Sequence, residues 1–278
     1  MIMKATEWKL GLSTCAYWSI EPAIFEGCAS AGIQAMELSL PSEMYDTIPW
    51  KEVKRLSAET GVEVRSIHLP FYPFSIRDLA SLDEQVRKGT IAAHKELLSR
   101  AGEIGTHIAT VHPSIAPLAA ELREEHMKRA QESLAELAEH AASCGTTLGV
   151  ENLSSNEALG NCIEEMRALL SADDRLRHTF DVNHMLRHSH AEYIRAMGRF
   201  FVNIHISDFD FVAERHWLPY EGKIDWVELV TLLEDAGYEG PFLYEVPAKN
   251  PIRTRPLTFA DYRENYEALV NKRTAPRI

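Results

Sequence analysis

The sequence predicts an α/β fold, a single (β/α)8 TIM barrel over residues 1–278, and three observations support it. The chain length and a hydrophobic content of 45% suit one barrel with a large core. Short apolar or β-branched runs recur at intervals of roughly 35 residues, each followed by a helical pattern, as a parallel sheet requires. Several runs follow a glycine that ends a helix, as in AGIQAMEL and TGVEVRSI, which indicates one repeated unit.

Eight of these runs are predicted as strands. In chain order they are 10–14, 34–38, 63–67, 107–111, 147–150, 178–180, 202–206 and 242–244. The clearest helix, 121–142, has apolar side chains at three- to four-residue spacing among charged ones, which predicts packing against the sheet. An open, doubly wound sheet is the structural alternative. Eight units, with no G-x-G-x-x-G after the first strand, favour the barrel.

Charge and cysteine content narrow the class of protein. The formal net charge of −12 disfavours a non-specific hold on nucleic acid or on an anionic membrane. The chain contains no apolar run long enough to span a membrane and no signal pattern at its start, so we expect a cytoplasmic protein. The four cysteines are scattered along the chain and are expected to be reduced thiols: Cys15, Cys28, Cys144 and Cys162.

Six consecutive predicted strands, the third to the eighth, end on a potential metal ligand. In order these are His68, His112, Glu151, Asp181, His205 and Glu245. Because the carboxyl ends of the strands of a barrel meet at one mouth, these side chains should converge there. The last four bring three carboxylates and one imidazole together, which like-charge repulsion and desolvation would oppose without a cation. Oxygen and nitrogen donors suit Mn, Co, Zn or Mg, so the sequence predicts a divalent metal site.

Each of these residues, taken alone, also fits a purely structural role. A histidine at one strand end is more often a hydrogen-bonded structural residue, so the inference for His68 and His112 rests on the whole constellation. Aromatic residues also fall in predicted loops near the mouth: Trp18, Phe71, Tyr72, Phe74 and Trp217. Their rings could cover the apolar face of a sugar, whereas core packing or a subunit contact accounts for any one of them equally well.

These residues resemble the xylose isomerase-like TIM barrel superfamily, and the resemblance extends over essentially the whole chain. Its most specific stretches are FDVNH, NIHISD, RHWLPYEGKIDW and GYEGPFLYEV. That superfamily includes sugar isomerases and epimerases as well as type IV apurinic endonucleases. The third stretch looks like the family's H-x-P-x-G-E-G-x-I-D-W loop, with Tyr220 and Lys223 at a usual glycine and at a variable position.

In the isomerase and epimerase branch, the resemblance implies one divalent ion, held by Glu151, Asp181, His205 and Glu245. Two of these ligands, Glu151 and Glu245, would also be catalytic, one as base and one as acid on opposite faces of a carbon beside a carbonyl, through an enediolate. The resemblance also suggests substrate contacts for Glu157 and His184. For Glu157, a surface carboxylate at a helix start is the alternative.

The endonuclease branch uses a larger ligand set, and this chain matches it at His68, His112, His184 and His216, with Glu214 at a further position of that set. These five residues are therefore candidates for a second metal site, including additional zinc, or for substrate binding. Two or three ions would suit in-line attack on a phosphodiester. Glu214 stands where that branch has an aspartate, and we expect its extra methylene to displace the carboxylate and weaken a three-metal cluster.

The sequence thus predicts a metal-dependent isomerase or epimerase of a small sugar, ketose or polyol, with Trp18, Phe71, Trp217 and Glu157 as substrate-binding candidates. The first alternative is a metallohydrolase resembling the type IV apurinic endonucleases and acting on abasic DNA; the acidic total charge and the absence of a basic and aromatic run argue against it. A catalytically silent sugar-binding barrel is disfavoured by the intact carboxylate pair. Homo-oligomer formation, the substrate's identity and its phosphorylation do not follow from the sequence.

Overall fold

The eight strands close into one parallel barrel in chain order. A computed structural model of the protein describes residues 3–115 and 117–274. The strands are β1 Leu10–Ser13, β2 Ala35–Leu38, β3 Glu63–His68, β4 Ile108–Val111, β5 Thr147–Glu151, β6 Arg177–Asp181, β7 Phe201–Ile206 and β8 Phe242–Tyr244. β1 pairs with β8 through Leu10 opposite Phe242 and Leu12 opposite Tyr244, which closes the sheet. The predicted barrel is confirmed, and the open doubly wound sheet is excluded.

Helices follow the strands in regular alternation. They are α1 Pro22–Ser30, α2 Trp50–Thr60, α3 Glu84–Glu103, α4 Arg123–Ser143, α5 Ile163–Leu170, α6 His190–Met197, α7 Trp226–Asp235 and α8 Phe259–Val270. Short 3-10 turns lie at Ala5–Glu7, Thr14–Ala16, Ser42–Thr47, Ala120–Leu122 and Gly198–Phe200. Several helices begin at a side chain that accepts a backbone N–H hydrogen bond, among them Asp83, Ser189, Asp225 and Thr258.

The helix predicted at 121–142 is α4, preceded by a 3-10 turn. Its apolar stripe is buried at Ala130, Leu134, Leu137 and Ala141, as the spacing predicts. Leu122 also belongs to the predicted stripe, but it is exposed because the α-helix begins only after it. The stripe packs on the barrel and on the neighbouring helices α3 and α5.

The cysteines and the helix lengths agree with the sequence analysis. All four cysteines are free, with Cys144 partly exposed and the other three buried. Within the described ranges, no helix combines the length and the apolar character that crossing a membrane requires.

Candidate metal centre and cavity

Four predicted ligands meet at the carboxyl ends of the last four strands. Glu151 and Asp181 are the final residues of β5 and β6, His205 lies one residue before the end of β7, and Glu245 follows β8. Asp181 and His205 are paired in register, which places their side chains next to each other. One donor atom from each of the four residues lies within 4.8 Å of the others. The four predicted donor residues therefore lie close together at the carboxyl ends of their strands.

The donor set fits a divalent cation. Asp181 Oδ2 is buried and has no hydrogen-bond partner among the described residues, although His184 Nε2 lies 3.5 Å away. Burial raises the pKa of Asp181; His184 opposes the rise, and the negative charge of Glu245 adds to it. A buried carboxylate oxygen without a donor is costly, and a divalent ion would satisfy it. Three carboxylates with one imidazole are donors that such ions accept.

His205 is held between carboxylates on both sides of its ring. Its Nδ1 lies 3.0 Å from Glu151 Oε1 and 3.2 Å from Glu245 Oε2. Its Nε2 lies 3.1 Å from Glu37 Oε1, on β2. Burial lowers the pKa of His205, but the facing carboxylates outweigh burial and raise it well above the ordinary value. The imidazole thus presents Nδ1 to the centre and Nε2 to Glu37.

Glu37 is a buried residue beside the centre that the sequence analysis missed. It is fully buried, and its Oε2 accepts hydrogen bonds from Ser66 Oγ at 2.9 Å and Asn203 Nδ2 at 3.2 Å. These contacts, from β3 and β7, fix the carboxylate against His205. Ligands were expected at strand ends, and Glu37 is the third of four residues in its strand. The available signal was an acid inside the otherwise apolar run AMELSL.

A second group of donors surrounds the other oxygen of Glu151. His68 Nε2 lies 3.0 Å and His112 Nε2 3.1 Å from Glu151 Oε2. Phe71 stacks on the His112 ring at a centroid distance of 4.0 Å. Burial raises the pKa of Glu151, but His205, His112 and His68 outweigh it and hold that pKa well below its ordinary value. Glu151 therefore bridges two histidine-rich sides of the mouth.

A third group contains the remaining predicted residues. Glu214 Oε1 lies 2.9 Å from His216 Nε2, and Glu214 Oε2 lies 3.3 Å from His184 Nε2. Ser154 Oγ donates to the same Oε2 at 2.7 Å. The loop after β7 brings the Glu214 carboxylate to both imidazoles. The expectation that its extra methylene weakens a three-metal cluster stays a prediction. Asp181, His184 and His216 also offer donor atoms within 4.8 Å of one another.

The loop that carries His216 is organised by one buried carboxylate, Asp208. Its side chain accepts hydrogen bonds from Trp226 Nε1 at 2.9 Å and from three backbone N–H groups. Those groups belong to Phe209, Tyr220 and Ile224, at 2.8, 2.9 and 3.1 Å. The stretch RHWLPYEGKIDW thus wraps around Asp208. This arrangement holds His216 at φ +49°, a conformation that costs energy in a non-glycine residue.

The centre opens into a cavity with two lobes. The first, named here the polar lobe, has a volume of about 260 Å³. It is lined by His68, Phe71, Phe74, His112, Ser114, Ile115, Glu151, Leu153, Ser154, Ser155, Ala158, His184, Glu214, His216 and Glu245. The second, the apolar lobe, has a volume of about 370 Å³. It is lined by Cys15, Trp18, Ser39, Leu40, Pro41, Ser42, Glu43, Tyr45, His68, Pro70, Phe71, Tyr72, His216, Glu245 and Pro247.

Comparison with known proteins identifies the family. Residues 25–269 match the sequence profile of the xylose isomerase-like TIM barrel family. The chain belongs to this family. The resemblance inferred from its motifs is thereby confirmed.

Curated relatives of this xylose isomerase-like barrel include sugar epimerases. D-psicose 3-epimerase of Ruminiclostridium cellulolyticum is 25% identical over 83% of this chain and 81% of that protein. Fructoselysine 3-epimerase of Escherichia coli O157:H7 is 32% identical over 40% of this chain and 42% of that protein. An uncharacterised protein of Methanocaldococcus jannaschii is 28% identical, and the alignment spans 60% of each chain.

Solved structures share the whole barrel. A D-tagatose 3-epimerase-like protein superposes with a TM-score of 0.79 at 22% identity, over 95% of this chain and 98% of that chain. A D-psicose 3-epimerase studied in the presence of D-fructose gives a TM-score of 0.77 at 19% identity, over 95% and 97% of the two chains. At these identities the comparison establishes the common fold.

The predicted substrate-binding residues divide into two sets within this family barrel. Trp18 lines the apolar lobe and Phe71 lines both lobes. Neither Glu157 nor Trp217 lines either lobe, and their substrate contacts stay predictions. Glu157 is exposed in the bend after β5, as the surface alternative predicted. The Trp217 backbone pairs with Asp208, and its ring lies beside the Arg215 guanidinium at 5.7 Å.

Proposed function

We propose that this chain is a divalent-metal-dependent sugar epimerase that moves a proton at a carbon beside a carbonyl. The observation that carries the proposal is the pair of carboxylates Glu151 and Glu245. They arrive from different strands, lie 3.0 and 3.2 Å from His205 Nδ1, and both line the cavity. The curated 3-epimerase relatives support a sugar with a ketose-type carbonyl as substrate.

The ion would be held by Glu151, Asp181, His205 and Glu245. When bound, it would polarise the carbonyl and the neighbouring hydroxyl and so lower the energy of the enediolate. Burial raises the pKa of Glu245, but the adjacent His205 outweighs it and lowers that pKa, so the carboxylate is available as a base. One of the two, as the carboxylate, would remove the proton, and the other, protonated beforehand, would return a proton to the opposite face, which inverts the carbon.

Deuterium exchange tests this proposal directly. We expect the Mn²⁺- or Co²⁺-loaded chain in deuterium oxide to incorporate deuterium into D-fructose, D-tagatose or D-psicose. Glu151→Gln and Glu245→Gln should each lower turnover by at least about a hundredfold, because each removes a proton carrier. Glu157→Gln, an exposed carboxylate in the loop after β5, is the matched control and should keep turnover. Full turnover in both cavity variants, or no exchange into any ketose, would overturn the mechanism.

A second candidate function is hydrolysis of abasic DNA by a metal cluster. The observation that favours it is the sharing of Glu151 between two donor groups, one with His68 and His112 and one with His205 and Glu245. The lining of the cavity opposes it, because no lysine or arginine occurs among the described residues of either lobe to meet a phosphodiester. Efficient incision of an abasic duplex at physiological salt, abolished by a chelator and by Glu151→Gln, would place this function first.

A further inference from the structure

We infer that the substrate is an uncharged sugar bearing an apolar substituent, and that this substituent occupies the apolar lobe. The sugar part of the inference rests on the proposed function. The substituent part rests on the walls of the apolar lobe, on the place of Trp18 in those walls and on the charges that line the cavity.

The apolar lobe is a continuation of the metal centre. His68, Phe71, His216 and Glu245 line both lobes, so a molecule whose reacting carbon lies between Glu151 and Glu245 extends directly into the apolar lobe. The volumes of about 260 and 370 Å³ place the joined cavity within the range of roughly 300–1,000 Å³ that drug-sized ligands use. The cavity therefore has room for a sugar and an attached ring.

Apolar side chains form much of the wall of the apolar lobe. Leu40, Pro41, Pro70 and Pro247 contribute apolar surface. The Tyr45 hydroxyl donates to the backbone carbonyl of His68 and accepts from the Leu40 N–H. Its donor is thus already used inside the protein. Ser39, Ser42, Glu43 and Tyr72 also line the lobe, so a hydroxylated occupant would replace only part of its hydrogen bonds to water, whereas an alkyl or aryl group would lose none.

Trp18 shows backbone strain at the rim of the apolar lobe. Its φ is +52°, in the left-handed region that a bulky residue rarely adopts, and its N–H donates to Thr14 O at 2.7 Å. The side chain is nevertheless 50% exposed, so packing in the core does not account for this conformation. Phe211 combines the same strain and exposure away from the cavity, so the place of Trp18 in the lobe wall, and not its strain, carries the inference. The exposed ring is placed to stack on an apolar group.

The charges of the cavity disfavour a phosphorylated sugar. The carboxylates of Glu43, Glu151, Glu214 and Glu245 line one lobe or both, and no lysine or arginine occurs in the described lining. A phosphate dianion would face these carboxylates without an arginine or lysine partner, and the histidines of the lining are already paired with Glu151 and Glu214. The substrate that this cavity accepts is therefore uncharged at the position that enters the apolar lobe.

Calorimetric binding to the metal-loaded wild-type chain tests the inference independently of turnover. The probes are D-fructose, its 1-O-benzyl and 6-O-benzyl ethers, and the 1- and 6-phosphates. We expect one benzyl ether to bind at least about tenfold more tightly than D-fructose, as burial of an aromatic ring allows. We expect neither phosphate to bind more tightly than D-fructose.

Two glycine variants locate the effect. Trp18→Gly removes the ring at a position where glycine adopts positive φ without strain, and it should reduce the benzyl preference to within about twofold. Phe211→Gly is the matched control, because Phe211 is also 46% exposed at φ +63° but does not line either lobe. It should keep the full preference.

The outcomes separate the two claims. Three results would each overturn the inference and leave the proposed function standing. They are equal binding of D-fructose and both benzyl ethers, a benzyl preference that Trp18→Gly does not reduce, and tighter binding of a phosphate than of D-fructose. Binding of none of the five sugars, with exchange into no ketose, would overturn both.

Discussion

Glu37 Oε1 and His205 Nε2 lie 3.1 Å apart across the interior of the barrel, joining β2 to β7. The opposite nitrogen of the same ring, Nδ1, faces Glu151 and Glu245. A carboxylate that accepts the second N–H of a metal-binding histidine fixes the ring orientation and increases its basicity. Glu37 thus contacts His205 on the side away from the candidate centre and does not line the cavity.

Glu37→Gln is expected to weaken the affinity for Co²⁺ or Mn²⁺ by about 10- to 100-fold, because it removes the negative charge that supports His205. The dissociation constant can be measured by metal titration, and the Co²⁺ absorption spectrum should change with the altered imidazole. Glu157→Gln is the control and should leave both unchanged. A lower melting temperature with an unaltered dissociation constant would assign Glu37 a structural role alone.

One tightly held ion is expected in the chain purified without added metal, at the donor group of Glu151, Asp181, His205 and Glu245. Excess zinc should add ions at His68 and His112, because neutral imidazoles bind it readily. Elemental analysis and anomalous scattering measure both occupancies. Two or three stoichiometric ions without added zinc would contradict the one-ion expectation and favour the hydrolase function.

Gly222→Ala is expected to lower the free energy of unfolding by at least about 2 kcal/mol, through overpacking. A Cβ at this position would lie 2.2 Å from Asp208 Oδ1 and 2.4 Å from Phe209 O, so the loop around Asp208 must move. Gly89→Ala is the matched control in α3, where a Cβ meets nothing within 4 Å. It should stabilise the chain by about 0.5–1 kcal/mol in urea unfolding. Equal effects of the two substitutions would show that the loop is free to adjust.

His94 should make the stability of the chain fall as the pH drops from about 6.5 to about 4. Burial lowers its pKa to about 4, while its Nε2 hydrogen-bonds to Pro70 O at 3.0 Å. Between these pH values the unfolded chain holds a proton on His94 that the folded chain lacks, so unfolding is favoured by up to about 1.4 kcal/mol per pH unit. His94→Gln should reduce this slope in urea unfolding at a series of pH values. Identical slopes would mean that His94 takes up its proton within the folded chain.

The sequence predicted the strands of this protein and the donor residues at their ends closely, and the residues in and around its cavity only in part. Strand positions followed from apolar runs and helix-ending glycines, and ligands at strand ends followed from barrel geometry. The sequence analysis did not find Glu37, because its interaction with His205 is a contact across the barrel. Trp217, expected to contact substrate, does not line either lobe, because the direction of a loop side chain depends on pairing such as that of its backbone with Asp208. The left-handed backbone of Trp18 likewise depends on the tertiary structure.

The contact between Glu37 and His205 joins residues that are 168 positions apart in the chain. During synthesis the second partner therefore emerges long after the first, and Glu245, at the end of the last strand, emerges later still. Until β8 pairs with β1, the chain has neither a closed barrel nor the full donor set. Contacts of such long range form slowly and late in folding. Tight metal binding is consequently a property of the finished barrel, and a chain that ends before β8 should show none in the same titration.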